Sequence, residues 1–254
     1  MPKVERTLKV DAVVLRHTDW GEADRLLTLY SREQGKLRAI AKGVRKIQSR
    51  KAGHLEPFTR AIIMLAKGHD LWIVTQAQAS ELYPSIREDL QKMSRAAYVV
   101  ELLDRFTYEE GQNRQLYQLL TETLERISIM EDGFIPVKYY EMRLLDLLGF
   151  RPQLFECVAC GQPITASDQY FSADLGGVLC PKCAQRGESR RPVTVDALRF
   201  LRHIQRSDFR GAMRVRPIEG IRQEMDGLQL YYFTFLLERG LKTPEFIRQI
   251  DKTL

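Results

Sequence analysis

Four cysteines carry the clearest chemistry in this 254-residue chain, and all fall within 27 residues: Cys157, Cys160, Cys180 and Cys183. Their pattern is C-x₂-C-x₁₉-C-x₂-C, within the spacing of a tetrahedral zinc site. Two intervening residues let a pair of thiolates converge on one metal through a tight knuckle, and two knuckles complete a four-sulfur shell. Gly161 relieves the turn after the first pair, and Pro181 stiffens the second. Four thiolates leave no open position for water, so the reading is one structural zinc ion, with an iron–sulfur cluster as competitor. Disulfides are unexpected in a reducing compartment. A thioredoxin-like pair needs one C-x-x-C beside a βαβ pattern, not two pairs around a hairpin. That hairpin is expected from Tyr170-Phe171-Ser172 and Val178-Leu179, joined through Ala173 to Gly177.

Positive charge is the second chemical signal. The chain carries a formal net charge of +6. Residues 1–80 hold 15 Lys+Arg and 8 Asp+Glu, so the first third contains all of the excess. Seven cations lie in residues 36–51 with no acid among them: Lys36, Arg38, Lys42, Arg45, Lys46, Arg50 and Lys51. A solvated loop is the bland explanation of such a run. Its concentration on a small domain points instead to a polyanion, whose counterions clustered Lys and Arg release.

No nucleotide-binding G-x-x-x-x-G-K-[ST], H-E-x-x-H or G-x-S-x-G motif is present. The histidines His17, His54, His69 and His203 are scattered, and the carboxylate pairs Glu109-Glu110 and Glu131-Asp132 fall at helix ends. The expectation is a protein that is not an enzyme. No apolar run reaches the roughly 18 residues that span a membrane, and no signal peptide is recognised, so a cytoplasmic location is expected.

The elements that must position these groups change character along the chain. Strands are expected at Val10–Arg16, Arg25–Ser31, Lys36–Ala41, Thr59–Ala66 and Leu71–Ala77. Five short strands in about 80 residues suggest a small barrel rather than a sandwich. The basic run between the third and fourth is a mobile loop or a short helix. From Pro84 the apolar spacing becomes helical through Ile86, Leu90, Met93, Ala97, Val100, Leu103 and Phe106. Further helices are expected from Arg114 to Ile129 with Asn113 as cap, from Pro136 to Leu148 ending at Gly149, and over Val195–Gln205 capped by Thr194. An apolar stretch from Ile221 to Leu237 follows, and Pro244 opens a last short helix. Trp72 reads as core, whereas Trp20 lies in a polar stretch and reads as exposed, where a ring can stack on a base.

Particular residues also resemble a known family. Gly21-Glu22-Ala23-Asp24-Arg25, Gly35-Lys36-Leu37, Ala41-Lys42-Gly43-Val44-Arg45, Ser49-Arg50 and Leu55-Glu56-Pro57-Phe58 are similar to the N-terminal signature of RecO. Cys157-Val158-Ala159-Cys160-Gly161 and Leu179-Cys180-Pro181-Lys182-Cys183 resemble that family's zinc finger, which some members lack. The resemblance implies an α+β protein. An OB-fold over residues 1–80 would bind DNA, a helical domain would span 81–152 and 188–254, and a zinc finger would be inserted at 153–187. It implies a recombination mediator that binds single- and double-stranded DNA and anneals complementary strands. Such a protein acts with RecR to load RecA onto strands coated by SSB, and some members hold the acidic SSB tail in the helical domain. The seven cations match the family's DNA-binding region, and nucleoid association follows. Arg186, Arg190 and Arg191 extend that track or face water, the latter favoured. The competing readings are a metal-dependent nuclease with unrecognised carboxylates and an adaptor whose basic loop docks an acidic protein segment.

Overall fold

The computed structural model describes residues 7–109, 111–185 and 190–238, with Thr243, Pro244, Ile247 and Ile250. By internal contacts the chain forms two compact units, the first made mainly of residues up to Glu131 and the second starting at Asp132.

The first unit opens with a closed five-stranded barrel. Its strands are β1 (Thr7–Trp20), β2 (Asp24–Ser31), β3 (Gly35–Ala41), β4 (Arg60–Lys67) and β5 (Trp72–Glu81). Their order around the barrel is β1-β2-β3-β5-β4, the β3–β5 pair being parallel and the rest antiparallel. The long β1 closes the circle: Thr7–Val13 pair with β4 and Ala12–Trp20 with β2, and a register shift between Val14 and Arg16 bends the strand. Strict alternation fills the interior. Leu27 and Leu29 of β2, Leu37, Ala39 and Ala41 of β3, and Ile63 and Leu65 of β4 share one core. The same alternation turns Lys36 and Arg38 outward.

All five strands occur where the sequence places them, with ends shifted by up to four residues. The loop from Lys42 to Thr59 consists of turns and one short 3₁₀ turn, Ala52–His54. Trp72 is half-buried, packing against the core rather than inside it. Gly35 ends the β2–β3 turn at φ +68, and a Cβ there would collide with the carbonyl oxygen of Gly111. Gly35→Ala is therefore expected to cost more than about 1 kcal/mol in urea unfolding. An unchanged midpoint would mean that the 111–112 backbone moves aside freely.

Three helices complete this unit: α1 (Pro84–Glu88), α2 (Leu90–Phe106) and α3 (Arg114–Ile129). The periodicity predicts one helix from Pro84 to Phe106, but Asp89 interrupts it in an extended conformation and accepts the Gln91 and Lys92 N–H groups. An aspartate able to cap wins over unbroken apolar spacing. Asn113 caps α3 in the same way.

The second unit contains α4 (Phe134–Leu147), a three-stranded sheet, and helices α5 (Pro181–Ala184), α6 (Val195–Arg206), α7 (Phe209–Ala212) and α8 (Glu219–Leu237). The sheet is β6 (Gln169–Ser172), β7 (Gly177–Leu179) and β8 (Arg191–Val193), in the order β7-β6-β8. The expected hairpin is β6–β7, while β8 and α7 carry too little pattern to read from sequence. Thr194 caps α6 through the Ala197 N–H, and Gly149 follows α4 at φ +82. A buried Lys138 joins α4 to α8 through Glu141 at 2.9 Å and Asp226 at 2.6 Å. Burial opposes its charge, yet the two carboxylates hold its pKa above the ordinary lysine value. Most of the short helix expected from Pro244 lies outside the described residues.

Candidate nucleic-acid interface and metal centre

The seven cations of residues 36–51 do not form one surface. Lys42, Lys46, Arg50 and Lys51 line an open groove of about 480 Å³, closed on its other side by Thr75, Gln76 and Ala77 of β5. Gly43, Gln48 and Ser49 complete the lining, so no acidic side chain contributes to it. Lys51 clamps the loop to the barrel by donating to the Val74 carbonyl at 3.0 Å and the Lys42 carbonyl at 3.4 Å. Lys42, Lys46 and Arg50 are exposed, and none has an acidic partner among the described residues. They supply exposed cations above a floor of backbone and small polar groups.

Arg45 lies on the same loop but faces the β1–β2 turn. Its guanidinium is 3.4 Å from Asp19 and its backbone N–H donates to the Ala23 carbonyl at 2.9 Å. Beside it, the Gly43 N–H donates to Asp24 at 2.7 Å. Arg25 pairs with Glu56 at 2.8 Å, which fixes the far end of the loop. Burial works against the charge on Glu56, but hydrogen bonds from Arg25 and then His17 hold its pKa below the usual carboxylate value.

Lys36 and Arg38 leave the barrel on its α2 side. The Lys36 ammonium lies 2.6 Å from Asp104 and also donates to the Asp104 and Thr107 carbonyls. Arg38 is 3.9 Å from Glu109. Burial raises the Asp104 pKa, but bonds from Lys36 and Arg16 outweigh it and leave the carboxyl below its ordinary value. A lowered folded-state pKa means that this contribution is present above about pH 4 and is lost as pH falls through the lowered value. Lys36→Met should cost about 1–3 kcal/mol at pH 7, because it leaves the half-buried Asp104 carboxylate with Arg16 as its one cationic partner among the described residues, and leave DNA affinity unchanged. Urea melts beside a DNA titration check both parts. A weakened DNA complex with normal stability would instead return Lys36 to the interface.

The cysteines meet as their spacing requires. All four Sγ atoms lie within 4.8 Å of one another, and Cys160 and Cys180 are 4.0 Å apart. A tetrahedral zinc with bonds of about 2.3 Å needs sulfur–sulfur edges of about 3.8 Å, so the cluster needs only slight contraction. All four are free thiols. In the first knuckle the Gly161 N–H donates to the Cys157 carbonyl at 2.8 Å; in the second, Cys180 precedes Pro181 at the start of α5. Burial opposes ionisation of Cys157. Backbone N–H groups of Cys180, Ala159 and Cys160 nonetheless pull its thiol to about 6, preparing a thiolate. Hydrogen bonding among the other thiols, first Cys180 and then Cys160, pushes Cys183 up to about 12. Four sulfur donors brought this close together form a donor set that a divalent cation can complete. Leu179, Ala184, Val158 and Ile164 pack around it.

Two family models divide the chain between them. Residues 5–83 match Recombination protein O N terminal and residues 87–245 match Recombination protein O C terminal. The chain belongs to the RecO family. Among its relatives, the DNA repair protein RecO of Roseiflexus sp. is 36% identical over 252 residues, covering 98% of this chain and 88% of that protein. The protein of the same name from Dehalococcoides mccartyi (strain 195) is 36% identical over 243 residues, covering 96% and 94%. That from Thermoanaerobacter sp. is 30% identical over 247 residues, covering 97% and 99%.

Within this RecO-family chain, the second wall of the groove was not legible from charge. Thr75 and Gln76 lie opposite the loop only because β5 pairs with both β3 and β4, and the one local hint is the polar pattern of Thr75-Gln76-Ala77-Gln78. Arg190 and Arg191 are exposed to solvent, as favoured, and also lie over the rings of Tyr170 and Tyr231, at 5.8 and 5.0 Å. Arg186 lies outside the described residues. The histidines all have partners: His17 with Glu56, His54 with the Ala79 N–H, His69 with Asp70 and His203 with the Gly211 carbonyl. Asp132 is paired with Arg222 at 2.6 Å. Among the described residues no helix is long and apolar enough to cross a membrane.

Proposed function

We propose that this chain is a non-enzymatic recombination mediator that binds DNA, anneals complementary strands, and acts in repair with RecR to load RecA onto SSB-coated single strands. The observation that carries this reading is the acid-free groove of Lys42, Lys46, Arg50 and Lys51 on the barrel. Annealing brings two polyanions together, so cations must screen the phosphates while base edges stay free to pair. Flexible Lys and Arg over a shallow floor do this without sequence preference. Names of the relatives, DNA repair protein RecO, support the same process.

Cys157, Cys160, Cys180 and Cys183 would hold one zinc ion. Bound there, zinc closes a four-thiolate shell and supplies structural cross-linking between the two knuckles. RecR and the acidic tail of SSB are the protein partners this reading assigns, and the nucleoid of the cytoplasm is its site of action.

Labelled single strands, bare or coated with SSB, test the proposal when incubated with the protein, RecR and magnesium or manganese. The expected result is a protein–DNA complex containing intact strands. Shortened products would establish a nuclease, and absence of any complex would remove DNA as the ligand.

A further inference from the structure

The exposed large apolar side chains of the barrel fall on two segments that hydrogen bonds join. Within residues 7–81 they are Trp20, 58% exposed, and Ile47, fully exposed. Trp20 ends β1 in register with Asp24, and Ile47 follows Lys46 on the basic loop. The two segments are stitched together by the Arg45–Ala23 and Gly43–Asp24 hydrogen bonds, with the Arg45 side chain also reaching Asp19 and the Gly21 carbonyl. Asp19 is answered by both Arg25 and Arg45, while Glu22 remains an exposed acid in the turn. An indole held at a strand end, on the turn bonded to a loop whose Lys42 and Lys46 have no acidic partner among the described residues, matches the chemistry of an unpaired nucleotide: a flat apolar face next to a phosphate.

We propose that Trp20 is a base-stacking platform for single-stranded DNA, with Lys42 and Lys46 holding the adjoining phosphates and Ile47 offering a second apolar surface. The proposal rests on the DNA-binding reading above and adds which strand state the site prefers. Stacking accepts every base, because each has a π-face, and it discriminates against duplex, whose faces are already covered. It thus gives a mediator grip on a strand before pairing and a reason to loosen afterwards.

The chain has two tryptophans, so Trp72→Phe leaves Trp20 as the sole tryptophan, whose emission selective indole excitation isolates from that of the tyrosines. Titrating that full-length protein with an oligothymidylate should quench its emission. Trp20→Ala should weaken single-strand binding about tenfold, with the salt slope unchanged and duplex affinity little altered. Trp20→Phe should recover most of the loss, and matched thermal melts establish that each variant folds. Undimmed emission and unaltered affinity in Trp20→Ala, while the parent binds DNA, would overturn the proposal and leave the groove standing. A salt slope that falls with the affinity would overturn it too, assigning Trp20 to placement of the cations. So would emission that answers to SSB protein but not to the oligonucleotide, which would mark a protein-docking residue. Failure of the parent to bind DNA would remove both readings together.

Discussion

Replacing Lys42, Lys46 and Arg50 together by Glu is expected to lower single-strand affinity on the order of 100-fold at 0.1 M salt. It should also flatten the salt dependence. Each phosphate contact on a single strand contributes about 0.7 to the slope of log K against log salt, so three lost contacts remove about 2. These three are chosen because they face the groove without acidic partners. Arg45 is left intact because reversing it would set two carboxylates against each other at Asp19 and free the loop. Folding should be unaffected, since the three side chains are exposed and contribute nothing to the barrel core. An unchanged slope with normal folding would place the phosphates elsewhere on the molecule.

Changing Cys157 and Cys180 to Ser, one from each knuckle, is expected to abolish stoichiometric zinc and to unfold the cysteine-bearing segment around β6 and β7. Structural zinc contributes about 10–16 kcal/mol in isolated finger peptides at neutral pH, far more than this small cluster of apolar side chains could replace. The apolar cluster at the cysteines buries Cys157, Leu179 and Ala184, with Val158, Ile164 and Tyr170 partly buried, and Phe171 and Val178 of the two strands are buried beside it. A metal held by the four thiolates would add to this small core the cross-link that a short segment lacks. Elemental analysis of the unsubstituted protein should give one zinc per chain, and thermal unfolding should show a lowered transition for the second unit. DNA binding through the groove, which belongs to the first unit, should persist. Unsubstituted protein without zinc, or a variant as stable as its parent, would contradict the assignment.

Local signals were legible, and long-range ones were not. The cysteine pattern is local: four residues within 27 positions determine their own convergence through two knuckles and a hairpin. Caps are equally local, which is why Asn113, Thr194 and Gly149 mark helix ends correctly. Asp89 shows the limit, since its cap competes with an apolar periodicity that reads straight through it. The basic run shows a different limit. A charge count treats Lys36 and Lys46 alike, yet Asp104, 68 positions away, captures the first while the second stays free for a ligand. Strand alternation shows that Lys36 points out of the barrel, but not which helix waits there. The groove's far wall, Thr75 to Ala77, likewise depends on strand pairing that no short stretch specifies.

The most direct test of the central claim is the rate at which two complementary labelled strands, each coated with SSB, become duplex. With the unsubstituted protein and RecR, annealing should be fast, should slow as salt rises, and should yield full-length duplex. The Lys42, Lys46 and Arg50 reversal should return it to the rate without protein. Annealing by that variant as fast as by its parent would contradict the account.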